Sequence, residues 1–231
     1  MNQPGINARK AIVVSDLHIG SRFFLHRRFE SFLSNISGDH ELILNGDVIN
    51  DPRARINAVH EGVLDLIREA SYGLKVVWVK GNHDNGFVPE GFERVQFCSM
   101  YHIGNRLLIA HGDDFDEIMP NSQALMRAFK FMHNVRVRLG ASPVHVADYA
   151  KRWRALYRVL RRNVMMNAVH CARENGYAAV TCGHTHYPED TVINSVRYIN
   201  TGAWTESPVH YLHVNPDGMA LKGFDGRRCI P

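Results

Sequence analysis

The sequence predicts an α/β fold, two β-sheets packed together with helices outside, on three observations. Short apolar runs alternate with amphipathic stretches over the first 110 residues. Residues 121–175 carry helical periodicity alone. From residue 190 onward, short alternating segments joined by Gly, Pro and Asn turns read as an antiparallel meander.

The length of 231 residues suits one domain with a full core, so a single domain over residues 1–231 is expected, with residues 121–175 inserted as a helical cap. An apolar fraction of 45% and a charged fraction of 22% exclude a disordered chain. The net charge of +4 favours anionic partners. Cys98, Cys171, Cys182 and Cys229 show no CxxC spacing, as expected of reduced thiols. The N-terminal residues hold no signal-peptide core and no window reaches the roughly 20 apolar residues of a membrane span. A cytoplasmic protein is expected, able to touch the inner face of a membrane only peripherally.

The opening strand, residues 11–15, ends in Asp16 and His18. An aspartate and a histidine two residues apart after a strand lie on one side and can reach one cation. Residues 22–25, RFFL, read as a staple against a helix over residues 27–36. A second strand, ELILN at 41–45, runs into Gly46-Asp47, where a glycine lets backbone and ligand crowd together. A helix over residues 56–71 should bury Val59, Val63, Leu64 and Ile67. The third strand, residues 75–80, ends in Gly81-Asn82-His83-Asp84, and the fourth, residues 107–110, in His111-Gly112-Asp113.

Within the helical stretch, Tyr149, Trp153, Leu156, Tyr157, Leu160, Val164 and Ala168 form one apolar stripe. Eleven Arg or Lys stand there against two acids, so an anion would be drawn to this part of the chain. Residues 178–182 restore the strand pattern and end in Gly183-His184-Thr185-His186.

Asp16, His18, Asp47, Asn82, His111, His184 and His186 therefore all follow strands. Carboxylate, imidazole and one amide oxygen suit a pair of divalent first-row ions, Mn²⁺ foremost, with Fe²⁺, Zn²⁺ or Mg²⁺ as alternatives. Asp47 is the natural bridge. The nine histidines outside these blocks read as surface or satisfied core residues.

The ordered blocks D-x-H, G-D, G-N-H-D, H-G-D and G-H-x-H resemble those of the calcineurin-like metallophosphoesterase family. That resemblance implies a four-layer αββα sandwich of two mixed sheets flanked by helices, with two ions at the sheet edge. It puts Asp16, His18, Asp47 and His186 on one ion, and Asp47, Asn82, His111 and His184 on the other. Such a pair activates a bridging water as hydroxide and neutralises charge during in-line attack on phosphorus. His83 then protonates the leaving oxygen or stabilises the transition state, with Asp84 fixing its orientation.

The helical insert and the segment NTGAWTES at 200–207 resemble the branch typified by UDP-2,3-diacylglucosamine diphosphatase of lipid A synthesis, which implies a nucleotide-linked lipid substrate cleaved to UMP and lipid phosphate. Phe129, Phe131, Met132, Trp153 and Tyr157 could serve acyl chains. Arg22, Arg53, Arg154, Arg158 and Tyr187 are candidate substrate contacts. That branch carries arginine where this chain has His83, which keeps a general phosphodiesterase or phosphomonoesterase as the alternative. A nuclease is a further enzyme reading, but no run of aromatics alternating with basic residues appears, which argues against a nucleic-acid partner. A non-catalytic metal-binding scaffold would be expected to have lost ligands that this chain keeps. No obligate protein partner is inferred.

Overall fold

The protein is described by a computed structural model over residues 9–87, 90–118, 123–142 and 153–226. Eleven strands are found among these residues: β1 Lys10–Val14, β2 His40–Asn45, β3 Lys75–Val79, β4 Gln96–Cys98, β5 Met100–Ile103, β6 Leu107–Ala110, β7 Ala179–Cys182, β8 Glu189–Ile193, β9 Val196–Asn200, β10 Val209–Asn215 and β11 Gly218–Phe224. The helices are α1 His26–Ser34, α2 Ala58–Ala70, α3 Gln123–Arg138 and α4 Arg154–Glu174. Short 3₁₀ turns follow β3 at Asn82–Asp84 and β6 at Asp113–Phe115.

The strands form two mixed sheets, ordered β11-β10-β1-β2-β3-β4 and β5-β6-β7-β9-β8. In the first, β1 to β4 run parallel and β10 antiparallel to β1; in the second, β6, β7 and β9 run parallel, flanked by antiparallel β5 and β8. Three apolar layers follow from the period-two alternation of strands buried on both faces. Ala11, Val13, Ile43, Val77 and Val79 point inward to meet Ile103, Leu107, Ile109, Ala179 and Ile199 between the sheets. Their alternate neighbours Ile12, Val14, Leu42, Leu44, Val76 and Trp78 pack outward on Phe29 and Phe32 of α1 and Val63 and Ile67 of α2. Leu108, Ala110, Val180 and Cys182 pack outward on Val164, Ala168 and Ala172 of α4. Helix, sheet, sheet and helix therefore stack as four layers.

Four details differ from the sequence reading. Strands β4 and β5 are not legible in the sequence, because QFC and MYHI lack the continuous buried apolar run that marks the equally short β6. The C-terminal segments do not make one meander: β8 and β9 pair in the second sheet while β10 and β11 pair in the first. Residues 201–208 cross between the sheets and lay Trp204, fully buried, onto α1. On α2 the inward face carries His60, whose Nδ1 accepts the Gly20 N–H at 3.0 Å, while Val59 is 55% exposed. The cap from Asn57, whose side chain accepts the His60 N–H, fixes that phase.

The apolar stripe of the insert is also only half buried. Leu160, Val164 and Ala168 pack on the second sheet, but Trp153 is 44% exposed at the start of α4, and Tyr149 lies outside the described residues. None of the described helices is long and apolar enough to cross a membrane.

Phe32 sits at the centre of the largest aromatic cluster, with ring centroids of Trp204, Tyr211 and Phe224 at 4.9, 5.1 and 5.2 Å. Replacing Phe32 with Ala should cost about 3–5 kcal/mol of stability. Urea unfolding followed by tryptophan fluorescence will measure it.

Candidate metal centre

The parallel strands β1, β2, β3, β6 and β7 all deliver their C-terminal ends to one edge of the sandwich, and the loops after them converge there. Asn45, the last residue of β2, is fully buried, and its amide donates to Ala110 O and Thr181 O, tying the first sheet to the second beneath the site. Ser15 and Thr201 share a 2.7 Å hydroxyl hydrogen bond on the other flank.

Above this floor the polar side chains meet. His186 Nε2 stands 3.2 Å from Asp16 Oδ1 and 3.1 Å from His18 Nε2. His111 Nε2 stands 3.3 Å from Asp47 Oδ2, and His18 Nε2 3.9 Å from the same oxygen. Three groups result, each with ligand atoms within 4.8 Å of one another: Asp16, His18 and His186; His18, Asp47 and His83; and Asp47, His111 and His184. His18 and Asp47 each belong to two of them.

The backbone is strained to make this possible. Asp16, His18, Asp47, His184 and His186 have φ between +50° and +60°, a region that costs non-glycine residues of order 1 kcal/mol or more each. The two other non-glycine residues with positive φ among the described ones, Asn194 and Ser195, form the β8–β9 hairpin turn, where that conformation is the norm. Strain confined to five convergent polar residues marks a functional site. The glycine expectation also holds: a Cβ on Gly46 would strike the His111 ring, and one on Gly81 would lie 2.6 Å from the Asp47 nitrogen.

Charge balance fits divalent cations. Burial by itself would raise the Asp47 carboxyl, yet the facing His111, His18 and His83 imidazoles hold it well below the usual carboxylate range. Burial would likewise lower His111, but Asp47 and Asp16 hold it well above an ordinary histidine. Two buried carboxylates thus demand positive charge, which divalent ions would supply. Ligands about 2.0–2.2 Å from a shared ion stand roughly 3.0–3.5 Å apart. The three shortest contacts fall in that window. His111 Nδ1 donates to Asn45 O at 2.9 Å, so Nε2 is the ring atom directed at Asp47. The donor set and its spacing fit a pair of divalent ions.

Asn82 opens the 3₁₀ turn after β3, exposed at the rim, and the next residue's N–H donates to Asp47 Oδ1 at 2.9 Å. His83 is part-buried, its ring 4.9 Å from that of His18. The role expected of Asp84 is corrected. Both its oxygens are engaged elsewhere, Oδ1 by Ile49 N–H at 3.0 Å and Oδ2 by Gly81 N–H at 2.9 Å, so it braces two ligand loops instead of turning His83. His83 is oriented by Asn50, whose backbone carbonyl accepts from Nδ1 at 2.7 Å.

Arg154, Arg158 and Tyr187 line one cleft of about 240 Å³ together with Tyr157 and Arg161. The Tyr157 hydroxyl donates to Thr185 O, which seats the cleft against the His184–His186 loop. Arg161 is tied to Glu189 at 3.2 Å and lies over the Tyr187 ring, whereas Arg154 and Arg158 are exposed. Arg22 and Arg53 are exposed as well, but neither lines this cleft. Sequence reasoning missed the parts played by Asn45, Asn50 and Asp116. Asp116 follows Asp113 and Asp114 in one acidic run, and only the turn geometry decides which carboxylate reaches His184.

Fold and site together define a metal-dependent phosphoesterase. The chain belongs to the calcineurin-like phosphoesterase family, whose model matches residues 9–188. Over 147 residues it is 26% identical to the DNA polymerase II small subunit of Methanothermobacter thermautotrophicus, in an alignment covering 46% of this chain and 30% of that protein. The chain thus spans less than a third of that curated relative's length. A single-residue variant of Vps29 from Entamoeba histolytica superposes with a TM-score of 0.50 at 16% identity, covering 94% of each chain. YfcE, a phosphoesterase from E. coli, gives 0.49 at 15% identity, covering 96% of this chain and 97% of that one. At 16% identity the likeness to Vps29 speaks for the fold alone.

The brace assigned to Asp84 has a measurable consequence. Asp84→Ala leaves two buried N–H donors without an acceptor and should cost about 2–5 kcal/mol. Denaturant melts of the metal-free variant will measure the loss, and a cost under 1 kcal/mol would contradict the brace.

Proposed function

We propose that the chain hydrolyses a phosphodiester or diphosphate bond with two divalent ions, one on Asp16, His18, Asp47 and His186 and the other on Asp47, Asn82, His111 and His184. The three convergent ligand groups are joined through His18 and Asp47, and of these only the carboxylate has two oxygens to share between two ions, which carries this reading. When bound, such ions supply the Lewis acidity that activates water and neutralises charge on phosphate. The remaining work falls to the chain. With its Nδ1–H engaged by Asn50 O, His83 turns Nε2 outward, and as the imidazolium it would give the Nε2 proton to the leaving oxygen and return to the neutral ring. Asp47 Oδ1, accepting the His83 N–H, holds that residue against the ligand cluster. Among ions, Mn²⁺ suits the mixed imidazole and carboxylate donors, with Fe²⁺, Zn²⁺ and Mg²⁺ as alternatives.

For the substrate we propose a nucleotide-linked lipid such as UDP-2,3-diacylglucosamine, cleaved to UMP and lipid phosphate. Two features support it. Arg154 and Arg158 offer charge for a phosphate next to the His184–His186 loop. Phe131 is 69% exposed on α3 and Trp153 44% exposed beside α4, so the insert keeps apolar surface outside the core for acyl chains. The side chain of Phe129 lies outside the described residues. A general phosphodiesterase fits the same ligand cluster equally well and is the second reading; its specific support is His83 itself, where the lipid-cleaving branch has arginine. Residues 121–175 would act as a cap over the substrate in the first reading and as packing in the second.

His83→Ala should lower turnover by roughly 10²–10⁴-fold while metal content stays near wild type. Wild-type turnover in that variant would remove His83 from the mechanism. The substrate is decided by assaying Mn²⁺-loaded protein against the UDP-glycolipid and against aryl phosphodiesters side by side. Release of UMP is expected; brisk aryl diester hydrolysis with no UMP would establish the second reading.

A further inference from the structure

Asp116 lies outside every ligand block, yet its carboxylate is buried and its Oδ2 stands 3.0 Å from His184 Nε2. It is not a member of any of the convergent ligand groups. The segment that carries it is fastened from both sides by α4. Asn167 Nδ2 donates to Phe115 O at 3.0 Å, and the Glu117 N–H donates to Asn163 Oδ1 at 3.1 Å. Asp116 also closes on its own turn, its N–H donating to Asp113 O at 3.1 Å and its Oδ1 accepting the Ile118 N–H at 3.0 Å. Beside this buried carboxylate the core is already supplied by Phe115 and Val164, so the restraints serve to place Asp116 itself.

His184, for its part, is held by the backbone and by one ring nitrogen. Its N–H donates to Asp16, its φ is +60°, and Nε2 faces Asp116. A carboxylate can only accept here, so Nε2 carries a proton toward Asp116. That leaves Nδ1 as the atom His184 can offer to the group it forms with Asp47 and His111.

We infer that Asp116 is a positioning residue for the second ion: held in place by Asn163 and Asn167 of α4, it fixes the His184 ring and tautomer so that Nδ1 faces Asp47 and His111. The inference rests on the reading of His184 as a ligand. A carboxylate behind a ligating imidazole sharpens its orientation and raises its basicity, and loss of such a partner costs 10- to 100-fold in metal affinity as an order of magnitude. It also gives the helical insert a part in the metal centre that substrate contact does not require.

The test is Mn²⁺ binding by calorimetry and electron paramagnetic resonance on full-length wild-type protein, Asp116→Ala, Asp116→Asn and His184→Ala, with long-range ¹H–¹⁵N spectra of the metal-free forms. Asp116→Ala should bind one ion with unchanged affinity and the other about 10–100-fold more weakly. Its His184 ring should show mixed tautomers where wild type shows Nε2–H alone. Asp116→Asn, which keeps a neutral acceptor, should fall between the two. A folded Asp116→Ala protein with wild-type affinity for both ions and an unchanged His184 tautomer would overturn the inference. Should that variant fail to fold, wild-type affinity in Asp116→Asn overturns it instead. If His184→Ala itself retains both ions, the ligand reading beneath the inference fails, and the two failures are thereby told apart.

Discussion

Two carboxylates, Asp16 and Asp47, stand almost wholly buried where the parallel strands end, and the rest of the structure is arranged around satisfying them. Burying a carboxylate is costly unless opposite charge or several hydrogen bonds meet it. Here each accepts a backbone N–H, from His184 and from His83, and each faces an imidazole within 3.3 Å. The same demand for positive charge draws histidines from β6 and β7 to a spot built by β1 and β2. A divalent ion meets that demand better than a proton does, because one ion can serve several anionic and neutral donors at once.

The apolar layers make this concentration of charge tolerable. Residues between the sheets lock β1, β2 and β3 against β6 and β7, and Asn45 crosses the seam just below the site with hydrogen bonds to both Ala110 and Thr181. Strain at Asp16, His18, Asp47, His184 and His186 is held by this frame. The loops cannot relax without pulling a packed strand end with them. Gly46 and Gly81 then matter for a local reason, since a side chain on either would occupy space taken by His111 or Asp47.

Helix α4 links the centre to its surroundings. From Leu160 onward it is core, through Val164 and Ala168, while its first turns send Arg154 and Arg158 outward and the Tyr157 hydroxyl to the carbonyl of Thr185. One helix therefore packs the second sheet, flanks the His184–His186 loop and fastens the turn that carries Asp116. Anything that displaced α4 would be felt at the ligand cluster.

Much of this was legible in the sequence. Buried strands followed at once by Asp, His or Asn signal their own position, because strand ends in an α/β sheet converge whatever the intervening loops do. The glycines beside those residues announced close approach, and the helical period of residues 154–174 was plain. Other features had no local signature. Whether the Asp84 carboxylate turns to His83 or to two amide groups depends on how the β2 and β3 loops lie against each other. The choice of Asn50's carbonyl as partner for His83, and of Asp116 over its neighbouring aspartates as partner for His184, depends on the same long-range packing. The division of the last four strands between two sheets goes with the burial of Trp204 against α1, a contact more than 170 residues apart in the chain. The sequence by itself determined which residue types stand at the strand ends and hence the kind of chemistry. Only the tertiary structure decided which oxygen or nitrogen each one presents, because hydrogen-bond partners are chosen by distance in space and not along the chain.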